Sequence, residues 1–186
     1  MTLVAHIAVM NDEKDKDMTS IPPSEECTCQ RPRLEDIRWQ LADYFTNCCR
    51  HLNTFEDENG AFQFALKSGL SEIRVILSPK DSGDRIVICG KAIAPLTVEP
   101  ANWQLLTEFA VYVNEFLSVP DFTVREDGGL ELSIDGLVSG AHIEDIVSEL
   151  VVEMITTLGL LLPGFQDVAR GCDSPEELLM KLRSPI

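Results

Sequence analysis

Six cysteines and three histidines are the side chains in this 186-residue chain best suited to nucleophilic or metal chemistry. Cys27-Thr-Cys29 offers two thiols to a soft metal, but structural zinc needs four ligands and the next histidine downstream is His51. The spacing therefore reads as two thiols in a polar leader. Cys48 and Cys49 are adjacent on a predicted helix, where neighbouring side chains diverge. That excludes a relaxed disulfide and predicts one thiol facing the core and the other facing out. Cys49 with His51 has the types of a nucleophile–base pair, yet nothing around them supplies an oxyanion hole or an orienting carboxylate. His6 and His142 stand in no recognisable setting. Glu56-Asp57-Glu58 lacks the alternating ligands and distal Glu of a calcium loop and reads as a solvated turn. The glycines are isolated or paired in turns and form no phosphate cradle. The expectation is a protein that is not an enzyme and holds no metal or cofactor.

Charge narrows the partners. The formal net charge is −16, and it is unevenly placed: residues 101–186 hold four Lys/Arg against fifteen Asp/Glu, whereas 31–100 hold nine against ten. Affinity for nucleic acid rests on Lys/Arg neutralising phosphates, so an acidic C-terminal half argues against nucleic acid and against an anionic membrane surface. A basic or hydrophobic protein partner suits the same charge. The apolar opening Met1-Thr-Leu-Val-Ala-His-Ile-Ala-Val-Met10 lacks the basic start and small-residue cleavage site of a secretory signal and is too short to span a bilayer. The remaining cysteines, Cys89 and Cys172, complete no disulfide framework, so reduced thiols and a cytoplasmic location are expected.

The elements that would position these residues follow from periodicity. Residues 1–30 alternate charge with Pro, Ser and Thr and are predicted to be a disordered acidic leader, with Met10 or Met18 as alternative starts. From Pro32, the residues Leu34, Ile37, Leu41, Tyr44/Phe45, Cys48 and Leu52 recur at helical spacing, with Glu35 and Asp36 opposing the helix dipole and an end predicted near Asn53. Three strands follow, marked by Phe62/Phe64/Leu66, Ile73/Val75/Leu77 and Ile86–Cys89. The run Asp81-Ser-Gly-Asp84 makes a hairpin loop, and the near-continuous third strand is expected to be covered on both sides in part. After the next helix, Phe122–Arg125 and Leu130–Ile134 alternate around Asp127-Gly128-Gly129, the strongest hairpin signal in the chain. A third helix is predicted from roughly 141 to 159, ended by Pro163-Gly164. A short last helix opens on the capping box Ser174-Pro175-Glu176-Glu177 and runs through Leu182. This divides the chain into a leader over 1–30, an α+β domain over 31–170 and a short C-terminal helix over 171–186.

The helix from Pro100 to about Ser118 is unusual. One apolar stripe is Trp103, Leu106, Ala110, Val113 and Leu117, and a second is Leu105, Phe109, Tyr112 and Phe116. Polar residues keep only the line Gln104, Glu108, Glu115. A helix apolar over most of its circumference needs cover on more than one side. With few elements available to surround it, the second stripe is the expected contact with a protein partner.

The order α-βββ-α-ββ-α, with a five-stranded, mainly antiparallel sheet packed by helices, resembles the type III secretion chaperone fold and the related YbjN family. Local features agree: His51-Leu-Asn-Thr-Phe55 before an acidic Gly turn, Val113-Asn-Glu-Phe-Leu117 closing the second helix, Asp127-Gly128-Gly129-Leu-Glu-Leu132 in the last hairpin, and Leu162-Pro163 after the third helix. The resemblance implies a small, acidic, cytoplasmic homodimer that holds an extended client segment without ATP. The expected dimer contact is the second helix and neighbouring strand surface, burying Leu105, Phe109, Tyr112 and Phe116. The alternative is a ligand- or signal-responsive regulator of the YbjN-like type, with a ligand between sheet and helix.

Overall fold

The computed structural model describes residues 32–68, 71–117, 120–139, 142–172 and positions 174, 175, 177, 178 and 180. The expected leader, with His6, Cys27, Cys29, Met10 and Met18, lies outside these residues, as does the far end of the last helix. In chain order the elements are α1 (Leu34–Asn47), β1 (Phe55–Glu56), β2 (Phe62–Ser68), β3 (Ser71–Asp81), β4 (Ile86–Pro95), a 3-10 turn (Pro100–Asn102), α2 (Trp103–Leu117), β5 (Asp121–Val124), β6 (Gly129–Val138) and α3 (Ile143–Ala169). The architecture is α+β: among the described residues, three long helices accompany an open antiparallel sheet ordered β1-β2-β3-β4-β6-β5.

The sheet has six strands where five are expected. The extra one, β1, is two residues long, too short to show alternation. It forms because the acidic turn folds the chain back: Asp57 Oδ1 accepts the Asn59 and Ala61 N–H groups at 2.8 and 3.0 Å, and Gly60 takes φ +75°. The two predicted hairpins are present, with Gly83 at φ +84° between β3 and β4 and Gly128 at φ +83° between β5 and β6.

Register sorts the sheet into two faces. Phe62, Leu77, Gly90 and Ile134 lie in one row, and Phe64, Val75, Ala92, Leu132 and Phe122 in the next. These residues meet the helices and form the core: Ile73, Val75, Leu77, Ile88, Ala92, Leu130 and Leu132 are fully buried. From α1, Phe45 stacks on Phe62 with centroids 5.3 Å apart. From α3, Phe165 receives Phe109 edge-on at 4.8 Å and Phe122 stacked at 5.1 Å, joining α2, α3 and β5. Strand glycines admit α3 closely: a Cβ on Gly90 would lie 3.1 Å from Met154, and one on Gly136 only 2.9 Å from Ile146 and Leu150. The space between sheet and α3 is therefore filled. As expected, Val87 is buried on the other face of β4 as well.

Two helix ends differ from expectation. Helix α1 stops at Asn47, not Asn53, because the Cys48 and Cys49 N–H groups both turn back to the Tyr44 carbonyl (2.8 and 3.3 Å). Helix α3 runs to Ala169 and passes through Pro163, which was expected to end it. Proline removes one backbone bond and crowds the residue four positions earlier. Here that residue is Gly159, whose missing Cβ faces open space, and both residues lie on the solvent side. Beyond the proline, burial of Phe165, Val168 and Ala169 holds the next turns in place. Among the described residues α3 is the one helix long and apolar enough to cross a membrane by length and composition, and here its buried stripe lines the core. After it, Ser174 Oγ accepts the Glu177 N–H (3.3 Å) and Glu177 Oε2 accepts the Ser174 N–H (3.4 Å), the predicted capping box.

Candidate protein-contact surface on α2

Helix α2 buries Leu106, Phe109, Ala110 and Val113. Its position against the sheet edge is fixed by Asn114, whose side chain pairs with the outer edge of β5. Asn114 Nδ2 donates to the Phe122 carbonyl (2.9 Å), and the Phe122 N–H donates to Asn114 Oδ1 (2.6 Å). An amide so placed substitutes for a neighbouring strand and closes that edge to further pairing. This clamp and the Phe109–Phe165 contact set the rotation of α2, whose other residues are half-buried or exposed.

The predicted contact stripe is split. Phe109 is only 1% exposed and belongs to the core, whereas Leu105, Tyr112 and Phe116 are 40, 43 and 51% exposed. Phe109 turns inward to meet Phe165 edge-on, and its ring passes Gly164 of α3, where a Cβ would sit at an ordinary contact distance of 3.6 Å. The three outward residues are spaced by seven and four, so they form one row about 16 Å long at 1.5 Å per residue. The acids of the polar line, Glu108 and Glu115, run along one border of that row. Gln104 donates to Glu108 at 2.9 Å, and α2 contains no Lys or Arg. Val111 of α2 is also exposed, outside that row, as are Trp39 on α1 and Val152 and Leu160 on α3.

Among the described residues the chemically capable side chains are not assembled into a site. Cys48 caps the end of α1 and is exposed, Cys49 is half-buried against the core, and His51 and His142 are exposed. Desolvation, then the nearby Glu144 carboxylate, pushes the Cys48 thiol up from its ordinary value. Burial and the Asp135 carboxylate push Cys89 to about 11. Thiols held protonated are poor nucleophiles. Among the described residues no group of three or more His, Cys, Asp or Glu could hold a metal ion.

One polar cluster was not visible in the sequence. On the face of the sheet opposite α3, Glu131 is buried between Lys91 (Nζ–Oε1 2.6 Å) and Arg125 (Nη1–Oε2 2.9 Å), and Arg125 also grips Asp127 at 3.0 Å. Burial alone would raise the Glu131 carboxyl, but the two cations outweigh it and hold it below its usual value. These residues are 40 and 6 positions apart in sequence, so only the β4–β6 register reveals them. An open cleft of about 380 Å³ lies between the end of α1 and β1–β2, lined by Phe45, Leu52 and Phe62 with Arg50 and Glu56 at its polar side. No protein-family model matches this sequence, and no curated protein is significantly similar to it.

Proposed function

We propose that this chain is a non-enzymatic protein-binding module, chaperone- or assembly-factor-like, that holds a protein partner without ATP in the cytoplasm and works as a homodimer joined through α2. The observation that carries the reading is the row Leu105, Tyr112, Phe116, left open on a helix whose opposite side is locked into the core. Burial of such a row removes apolar surface from water at roughly 25 cal/mol per Å², the usual driving force for association. The alternation of helices and strands, apart from the short β1, is the reason for setting the protein beside type III secretion chaperones and YbjN-like proteins. The acidic surface favours basic or hydrophobic protein segments over nucleic acid.

Light scattering on the full chain tests this reading. The expected mass is about twice that of the 20.7 kDa chain at micromolar concentration. A clean monomer there would defeat the α2 dimer. The second reading, a ligand-responsive regulator, rests on the cleft beside β1–β2, since the layer between sheet and α3 is filled. A metabolite that raises the melting temperature of the wild type but not of an Arg50→Ala variant would favour it.

A further inference from the structure

The proposed dimer brings together two copies of a helix that carries only negative charge. Glu108 and Glu115 border the row Leu105, Tyr112, Phe116 at one-turn spacing, and no Lys or Arg lies between Trp103 and Leu117 to offset them. Pairing α2 with α2 therefore gathers four carboxylates around one apolar seam, and residues 101–186 as a whole hold four Lys/Arg against fifteen Asp/Glu. The apolar part of the contact suits a second copy, and the charged part opposes it. A helix with the same apolar spacing and Lys or Arg on its flanks satisfies both. We infer that the α2 row is the client site itself, fitted to an amphipathic helical segment of a partner protein with Lys/Arg along its borders, and that such a segment displaces the second copy.

This inference rests on the α2 reading above and adds the partner's chemistry and the order of events. The resting state is the homodimer, held by the apolar row and weakened by its acids. The client exchanges into the same row because its cations meet Glu108 and Glu115, as in helix-on-groove recognition with charged rims. The two contacts then respond oppositely to salt. Screening relieves like-charge repulsion in the dimer and weakens attraction in the client complex, since the Debye length falls from about 10 Å at 0.1 M to about 3 Å at 1 M.

Sedimentation velocity on the full chain, with two synthetic probes, tests it. One probe is an amphipathic peptide of about four turns with Leu on one face and Lys beside it; the other has Glu in place of each Lys. The dimer should tighten by about tenfold between about 0.05 and about 0.5 M NaCl. The Lys peptide should convert dimers into one-to-one complexes, with an affinity that falls by about tenfold over the same range, and the Glu peptide should not. In a Glu108→Gln/Glu115→Gln variant both salt responses should flatten, with the dimer tighter at low salt. A Lys peptide that binds without splitting the dimer, equal binding of the two peptides, or salt-indifferent binding would overturn the inference while leaving the dimer reading intact. A monomer at every salt concentration would instead remove the dimer reading. If that monomer still binds the Lys peptide and loses it on Tyr112→Ser, the assignment of the row to a basic segment stands alone.

Discussion

On its inner side α2 sets Leu106, Phe109, Ala110 and Val113 against β5 and α3, and on its outer side Leu105, Tyr112 and Phe116 keep about half their surface in water. Both sides are apolar at helical spacing, the inner one through a leucine, a phenylalanine, an alanine and a valine, the outer one through a leucine and two large aromatics. What separates them is the clamp from Asn114 to the Phe122 backbone, which sets the rotation of the helix, and the edge-on contact with Phe165 that receives Phe109. Apolar content thus says that a side chain needs cover. It does not say whether the cover comes from the same chain or from another.

Substitutions on the two sides should differ by several kcal/mol. The largest effect is expected from Phe109→Ala, which removes a ring 1% exposed and packed on Phe165, costing about 3–5 kcal/mol in urea unfolding. A cost under about 1 kcal/mol would mean that Phe109 belongs with the outer row after all. Next comes Asn114→Ala, at about 1–3 kcal/mol, because the Phe122 N–H and carbonyl lose their partner. It should also raise aggregation by opening the edge of β5. Gly136→Ala should cost a similar amount, about 1–3 kcal/mol, since the new Cβ would meet Ile146 and Leu150 at 2.9 Å.

A smaller, pH-dependent effect belongs to Glu131. Its carboxyl is held below the ordinary value in the folded chain by Lys91 and Arg125, against the effect of burial. Its contribution to stability is then complete above the unfolded value of about 4.3 and is lost as pH falls through the lower folded value. The melting temperature of the wild type should drop below about pH 4.5, and the drop should be shallower in Glu131→Gln. Identical profiles would remove this group from the acid response. The smallest effect on stability is expected from Leu105→Ser, Tyr112→Ser and Phe116→Ser, within about 0.5 kcal/mol each. Their consequence should appear in association instead.

Much of the fold is legible in the sequence because its strands alternate cleanly and its turns carry Gly at the positions that need positive φ. The parts that escaped have local causes. Strand β1 is two residues long, so no period exists to read. The continuation of α3 through Pro163 depends on Gly159 four residues earlier and on the burial of Phe165 beyond, which only packing reveals. The outer row of α2 was legible as surplus apolar surface, but Phe109 lies on the boundary between its two stripes and goes inward to meet Phe165, a ring on another helix that the period of α2 does not reveal. The Glu131 cluster was not legible at all, since its members meet only through strand register.

The central claim is that the outer row of α2 joins two copies of this chain. Sedimentation velocity of wild type beside the Leu105→Ser/Tyr112→Ser/Phe116→Ser variant, at matched micromolar concentration, tests it most directly. The account predicts a dimer for the wild type and a folded monomer with unchanged circular dichroism for the variant. A variant that remains dimeric, or a wild type that is monomeric at every concentration, would contradict it.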